Sequence, residues 1–315
     1  MKVVVLGAGG IGCYYAARLM AARNQATLVA RGAHLEALQQ RGLKVIHPQF
    51  SFEQPVEALT LEALKSSQNS DAFDLVILAS KSGATVSMLS SLKAWLMQSA
   101  VPVLSIQNGV MNEVEIAKVI GKERTIGGLA VRIGGHILEP GVVEVTGEAQ
   151  IEMGVWPNIR ENDFELSRVQ QWVETFKQAG IPTIQVEDIQ FALWRKLLIN
   201  NGVNPLTALT LQDTQSVLND PILQETAYQM MTETARAAQI AGVDIQVADV
   251  DEMFELIRGF DAIKTSMQVD REKGRPLEMD DICGPVIRYC RKASTPAKTT
   301  ELIATLLQYA VKNDV

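Results

Sequence analysis

The first dozen residues constrain this chain more than any other segment. Residues 2–6 (KVVVL) are a short β-branched run, and Gly7, Gly9 and Gly12 follow in a G-x-G-x-x-G spacing that opens the helical pattern of residues 11–22. A buried strand that turns straight into a helix uses its first glycine for the tight turn. The second glycine lets the backbone approach a pyrophosphate, and the third lets helix and strand pack closely. Gly10 and Ile11 complete the turn, where the first N–H groups of the helix and its partial positive charge suit an anion. A glycine turn that only packs is the bland alternative. The position after a strand, at the head of an alternating α/β segment, favours a dinucleotide.

That alternation continues. Strands are expected at 26–30, 43–47, 74–79 and 101–106 and helices at 33–40 and 82–98, with an irregular polar stretch at 48–73. Near-continuous apolar strands between helices imply a parallel sheet covered on both faces. Residues 124–153 change to short alternating segments between glycine turns, expected as an antiparallel extension of the sheet. A helix at 160–179 stops at Gly180 and a last strand at 182–186 follows. Beyond it the pattern is helical, at 189–218, 220–241, 247–258, 279–292 and 297–312, with Asp220-Pro221 reading as an N-cap and first helical residue. A polar loop is expected ahead of the helix at 279. The 315 residues are about twice a ~150-residue domain prior. The expected fold class is α/β, with an N-terminal Rossmann-type dinucleotide-binding domain at 1–187 followed by an all-helical C-terminal domain at 188–315.

Composition narrows the ligands. With 29 Lys and Arg against 36 Asp and Glu, the net charge of −7 argues against a nucleic-acid partner, though a local cationic pocket still suits an anion. Only His34, His47 and His136 are present, without an HExxH, so no metal site is expected. Cys13, Cys283 and Cys290 form no C-x-x-C and are odd in number, which reads as a reduced, cytoplasmic chain. No apolar run approaches the ~18 residues of a membrane span, and the stretch after Lys2 reads as a strand rather than a signal peptide. The long C-terminal helices suit either an internal core or a homodimer face.

Several groups are placed for chemistry. The second strand ends Val29-Ala30-Arg31-Gly32, where an NAD site normally carries Asp or Glu for the ribose hydroxyls. The planar, permanently charged fork of Arg31 suits a 2′-phosphate and so NADP(H), unless it merely pairs with Glu36. Lys81 and Asn108 each follow a strand, at the edge where open α/β sheets bind ligands. A solvated lysine and an ordinary Asn-Gly turn are their alternatives. Lys196, Asn200 and Asn204 recur every four residues among apolar neighbours, in one row of a buried helix. Such a row needs partners, either in a structural network or in a ligand, because an unsatisfied buried polar group costs about 1–3 kcal/mol. Glu278 and Asp280 read as charges at a helix start.

Taken together, LGAGGIG at the start, SKSGATV around Lys81, QNG at 107–109, KLLINNGVNPLTAL at 196–209, TSMQVD at 265–270 and GRPLEMDDICG at 274–284 resemble the ketopantoate reductase (2-dehydropantoate 2-reductase) family over nearly the whole chain. The resemblance implies NADPH-dependent reduction of 2-dehydropantoate to pantoate in pantothenate biosynthesis. Another 2-oxo acid on the same scaffold, or an NADP-sensing protein without chemistry, is the alternative. It also implies site residues: Lys196 as general acid, assisted by Glu278; Ser266 on the substrate carboxylate; Asn200 and Asn204 on the substrate; Asn108 near nicotinamide and substrate; Gly7, Gly9, Gly10, Ile11, Gly12, Arg31 and Lys81 on the cofactor, with Asn108 and Glu278 at its reactive end. The chain departs from the usual pattern at Cys13-Tyr14, around Ile133-Gly134-Gly135, at Met279 and at Lys298, leaving every proposed group in place.

Overall fold

In a computed structural model, residues 1–162 and 164–313 are described, the last by its backbone alone. The chain divides into two compact units, Met1–Asn108 with Asn112–Ile189, and Gly109–Met111 with Gln190–Val315.

The first unit is built on β1 (Lys2–Leu6), β2 (Gln25–Val29), β3 (Leu43–His47), β4 (Phe50–Gln54), β5 (Glu57–Leu59), β6 (Leu75–Leu78), β7 (Val103–Ser105), β8 (Thr125–Glu139), β9 (Val142–Val155) and β10 (Thr183–Gln185). These form one sheet in the order β4-β3-β9-β8-β7-β6-β1-β2-β5, with β10 also beside β9. Strands β5, β2, β1, β6, β7 and β8 pair in parallel. Both faces of this region are covered, which is why residues 3–6 of β1 and all of β6 are apolar. Val3, Val5, Leu75 and Ile77 belong to one core, and Val4, Leu6, Val76 and Leu78 to another. Adjacent residues of a strand face opposite sides of a sheet, so the two cores lie on its two faces. The chain leaves β1 for β2 on one side and returns to β6 on the other. Strand order therefore reverses between β1 and β6, and ligands bind beyond the carboxyl ends at such a point.

The helices of this unit are α1 (Gly10–Ala21), α2 (Gly32–Arg41), α3 (Leu61–Ser67), α4 (Thr85–Leu96), α5 (Asn112–Ile120) and α6 (Leu166–Gln178). The expected antiparallel extension is the β8–β9 hairpin, which turns at Pro140-Gly141. One edge of β9 receives β3 at one end and β10 at the other, both parallel to it. Three sequence expectations are corrected. The polar stretch 48–73 contains β4, β5 and α3, hidden because each brings a single well-buried residue, Phe52, Ala58 and Leu64. Helix α5 was not expected, since its polar start conceals a short face carrying Ile116 and Ile120. Helix α6 begins at Leu166 rather than 160, and residue 163 within the expected helix lies outside the described residues.

The second unit is helical: α7 (Ile189–Thr210), α8 (Thr214–Asn219), α9 (Pro221–Ile240), α10 (Val247–Arg258), α11 (Ser266–Glu272), α12 (Met279–Lys292) and α13 (Lys298–Asn313). The helix expected over 189–218 is two. Leu211 takes a left-handed φ of 58°, and Asp213 restarts the helix by accepting from Ser216 N at 2.8 Å. The expected polar loop contains α11, whose seven residues are too few to show a period. Asp220 caps α9 by accepting from Ile222 N and Leu223 N at 2.9 and 3.0 Å, with Pro221 in the first turn. In the core, Asn201 Nδ2 donates to Thr234 Oγ1 and Thr300 Oγ1 at 2.9 and 3.1 Å. The buried Glu233 carboxylate accepts from Thr299 N, Thr300 N and Thr300 Oγ1 at 3.0, 2.8 and 2.8 Å, which caps α13. Among the described residues no helix is long and apolar enough to cross a membrane.

Candidate functional site

The glycine turn separates packing from access. A Cβ on Gly7, whose φ is 115°, would lie 2.5 Å from Ser80 N. On Gly12 it would lie 2.2 Å from Gly7 O, and on Gly10 2.4 Å from the backbone of Gly135 and His136. At Gly9 it would meet nothing within 4 Å. Three glycines therefore let backbones close on one another, while the fourth faces open space. Gly9 is the N-cap of α1 and makes no side-chain cap, and the first turn carries no acid. Helical N–H groups here have no intrahelical acceptor, so this cradle fits a phosphate. Ile11, half-buried, follows in the same turn.

The two kinds of glycine predict different failures. Gly9→Ala is expected to keep the melting temperature within about 2 °C while weakening dinucleotide binding about tenfold or more, because its methyl enters the ligand space. Gly12→Ala is expected to lower both, as overpacking against backbone costs about 1–3 kcal/mol or more. Thermal melts with fluorescence titration check this, and equal behaviour of the two variants would refute it.

Arg31 lies just past β2 as the N-cap of α2, and is exposed. Among the described residues it makes no ion pair with Glu36. Lys81, also exposed, follows β6 and precedes a turn of 3₁₀ helix at Ser82–Ala84. Asn108 follows β7, ahead of Gly109 with a φ of 94°. Its backbone is held firmly: Ser82 Oγ and Asn112 Nδ2 donate to Asn108 O at 2.6 and 2.8 Å. Gln107, 4 % exposed, donates from Nε2 to Ser80 O at 2.7 Å and to Thr85 Oγ1 at 3.0 Å. Thr85 in turn donates to Asn112 Oδ1 at 2.9 Å. This network joins the ends of β6 and β7 beside the switch point. Thr85 and Asn112 were not singled out in the sequence, because nothing local links residues so far apart.

Glu113 is a second omission. It is fully buried in the first turn of α5, and neither carboxyl oxygen has a well-formed hydrogen bond. Burial pushes its carboxyl up to about 8, against smaller lowering effects from its own backbone N–H and from Ser105. A glutamate at a helix start reads as ordinary dipole complementation, so no sequence signal marks it.

In the helical unit, α7 is apolar on most sides. Trp194, Leu197, Leu198 and Val203 are buried, which places the polar row in a dry setting. Lys196 and Asn200 are half-buried and Asn204 is buried. Asn201, on another side, serves the core network described above. The far end of the row meets α11: Thr207 Oγ1 donates to Asn204 O at 3.0 Å and is 2.6 Å from Thr265 Oγ1. Thr265 caps α11, and Ser266 is its exposed first residue. Arg271 Nη1 donates to Ala208 O and Leu209 O at 2.6 and 2.9 Å, tying α11 to the last turn of α7. The segments of Asn204 and Ser266 are thus brought together. Glu278 is half-buried at the N-cap of α12. Beside it Asp281 is pushed up to about 6, chiefly by burial, then by the charges of Glu278 and Asp280, with Arg288 opposing. No group of three or more potential metal ligands occurs among the described residues.

Comparison with known proteins is consistent across both units. The family described as "Ketopantoate reductase PanE/ApbA" matches residues 3–158, and its C-terminal counterpart, "Ketopantoate reductase PanE/ApbA C terminal", matches residues 188–310. The chain is 30% identical over 312 residues to a 2-dehydropantoate 2-reductase of Pyrococcus horikoshii, covering 98% of this chain and 97% of that one. It is 29% identical over 308 residues to that of Pyrococcus abyssi, with the same two coverages. A crystal structure of 2-dehydropantoate 2-reductase from Geobacter metallireducens superposes with a TM-score of 0.86 at 30% identity, covering 98% of this chain and 100% of that one. With a Rossmann-type sheet unit followed by a helical unit, this chain belongs to the ketopantoate reductase family and is an oxidoreductase.

Proposed function

We propose that the protein reduces 2-dehydropantoate to pantoate with NADPH, in the cytoplasmic synthesis of pantothenate. The observation that carries this reading is the row Lys196, Asn200 and Asn204 on a helix that is apolar on most sides and largely buried. Such a row holds a polar ligand in a setting where its charges act strongly.

Bound NADPH supplies the hydride. The chain's own residues do the rest. Gly9 and the first turn of α1 take the pyrophosphate, with Gly7, Gly10, Ile11 and Gly12 shaping the turn. Arg31 takes the 2′-phosphate and Lys81 adds positive charge beyond β6. Asn108 serves the nicotinamide end. Asn200, Asn204 and Ser266 hold the 2-oxo acid through its hydroxyl and carboxylate. The Lys196 ammonium gives a proton to the ketone oxygen and stabilises the negative charge that gathers there. Glu278 orients Lys196 and the substrate hydroxyl.

The test is an assay of the purified protein with 2-dehydropantoate and either NADPH or NADH. Turnover with NADPH is expected, and tight NADPH binding without turnover of 2-dehydropantoate would refute the assignment. For Arg31→Ala, the NADPH dissociation constant is expected to rise about 10–100-fold, since hydrogen bonds to charged groups are worth about 1.5–3 kcal/mol. NADH, which lacks the phosphate, should change by less than about threefold. Equal losses for the two dinucleotides would remove Arg31 from the phosphate site.

A further inference from the structure

His34 stands three residues beyond Arg31, in the first turn of α2, and its ring joins three segments. Its Nδ1 accepts from Gly141 N, at the tip of the β8–β9 hairpin, at 3.1 Å. In the neutral ring that acceptance places the proton on Nε2. Nε2 lies 3.8 Å from Cys13 Sγ, in the first turn of α1. Burial holds the imidazole below its ordinary range, against a smaller raising effect from the backbone of Ala8, inside the glycine turn. A protonated ring would turn a second N–H toward the Gly141 N–H, so the geometry and the neutral form agree.

We propose that His34 is a positioning residue for the cofactor. It fixes the first turn of α2, which Arg31 caps, against the glycine turn, and so sets dinucleotide affinity from the adenosine side without touching the reacting end. The distance between a pyrophosphate on α1 and a charge at Arg31 depends on how these two helix starts are held, and His34 is the side chain that spans them. Helix α2 does not depend on His34 for its docking. Arg41 Nη2 donates to Pro140 O at 2.8 Å. Ala37 packs where a Cβ on Gly141 would lie, 3.2 Å away. Loss of the ring is therefore expected to loosen the first turn of α2 and leave the fold intact.

This inference rests on the first unit being the dinucleotide half, as proposed above. The experiment measures NADPH dissociation by fluorescence titration, kcat and KM, and the melting temperature of the ligand-free protein. It compares the wild type with His34→Ala, His34→Asn and Arg31→Ala. His34→Ala is expected to raise the NADPH dissociation constant and KM about tenfold, with kcat within about twofold, as follows from losing one or two hydrogen bonds. The amide oxygen of Asn can accept from Gly141 N, so His34→Asn should stay within about threefold of the wild type. If His34→Ala does not fold, His34→Leu, similar in size and without ring nitrogens, replaces it. Unchanged NADPH affinity in the Ala or Leu variant would overturn the proposal. So would an Asn variant as weak as they are, since that leaves His34 a packing role alone. Arg31→Ala with unaltered NADPH binding, beside a weakened His34→Ala, would remove the 2′-phosphate reading and leave this one standing.

Discussion

Lys196→Ala is expected to lower kcat for ketone reduction by about 10²–10⁴-fold while dinucleotide binding changes less than about twofold. The magnitude is that of general-acid catalysis, with the charge of the ammonium counted in the same loss. The separation follows from placement. Lys196 belongs to α7 in the helical unit, whereas the glycine turn and Arg31 belong to the sheet unit. Arginine is no substitute, because its guanidinium keeps its proton and its fork is shaped for carboxylates and phosphates. Lys196→Arg should therefore resemble the alanine variant in kcat. Initial rates and a fluorescence titration on the same preparation decide the matter. An alanine variant with wild-type kcat would show that the row on α7 holds a ligand without supplying a proton.

The second large effect concerns stability rather than turnover. Glu113 titrates near 8 in the folded protein, against a reference of 4.5. A carboxyl whose folded pKa is raised binds its proton more tightly in the native state. Its contribution to stability is therefore greatest at or below pH 4.5, falls as pH rises through the window up to 8, and is level above it. Within that window the slope is about 1.4 kcal/mol per pH unit for one proton. Other carboxylates act in the opposite sense at acid pH, so the measurement is a difference. Urea unfolding of wild type and Glu113→Gln at several pH values should show the variant gaining relative stability from pH 5 to 8, and no further gain at pH 9. A difference that does not vary with pH would mean that Glu113 carries its charge in the fold.

Features governed by neighbours along the chain were legible in the sequence. The β1–turn–α1 unit follows from glycine sterics over six residues, and the Asp220-Pro221 helix start from capping chemistry over four. The row on α7 follows from helical period alone. What stayed hidden depends on partners distant in sequence. Strand β3 looked like the next member of the parallel series, yet it pairs with β9, about a hundred residues later. Gln107, Thr85 and Asn112 form a network only because β6 and β7 end side by side. With three histidines and no HExxH, the sequence offers no reason to single one of them out. It says nothing of the work left to His34, whose partners Gly141 and Cys13 are brought together by the sheet unit.

The threonine shared by two buried groups bears on the order in which the chain acquires its structure. Asn201 and Glu233 both depend on Thr300, at the start of the final helix. During synthesis the sheet unit can close as a nearly continuous stretch, and domains tend to fold as they emerge. The helical unit has no such freedom. Until α13 leaves the ribosome, Glu233 lacks every donor that the last helix brings it, and a buried carboxylate stripped of its partners costs several kcal/mol. Its cooperative folding thus waits for the last segment to be made, so a nascent chain stalled before residue 298 would display a finished sheet and an open bundle of helices.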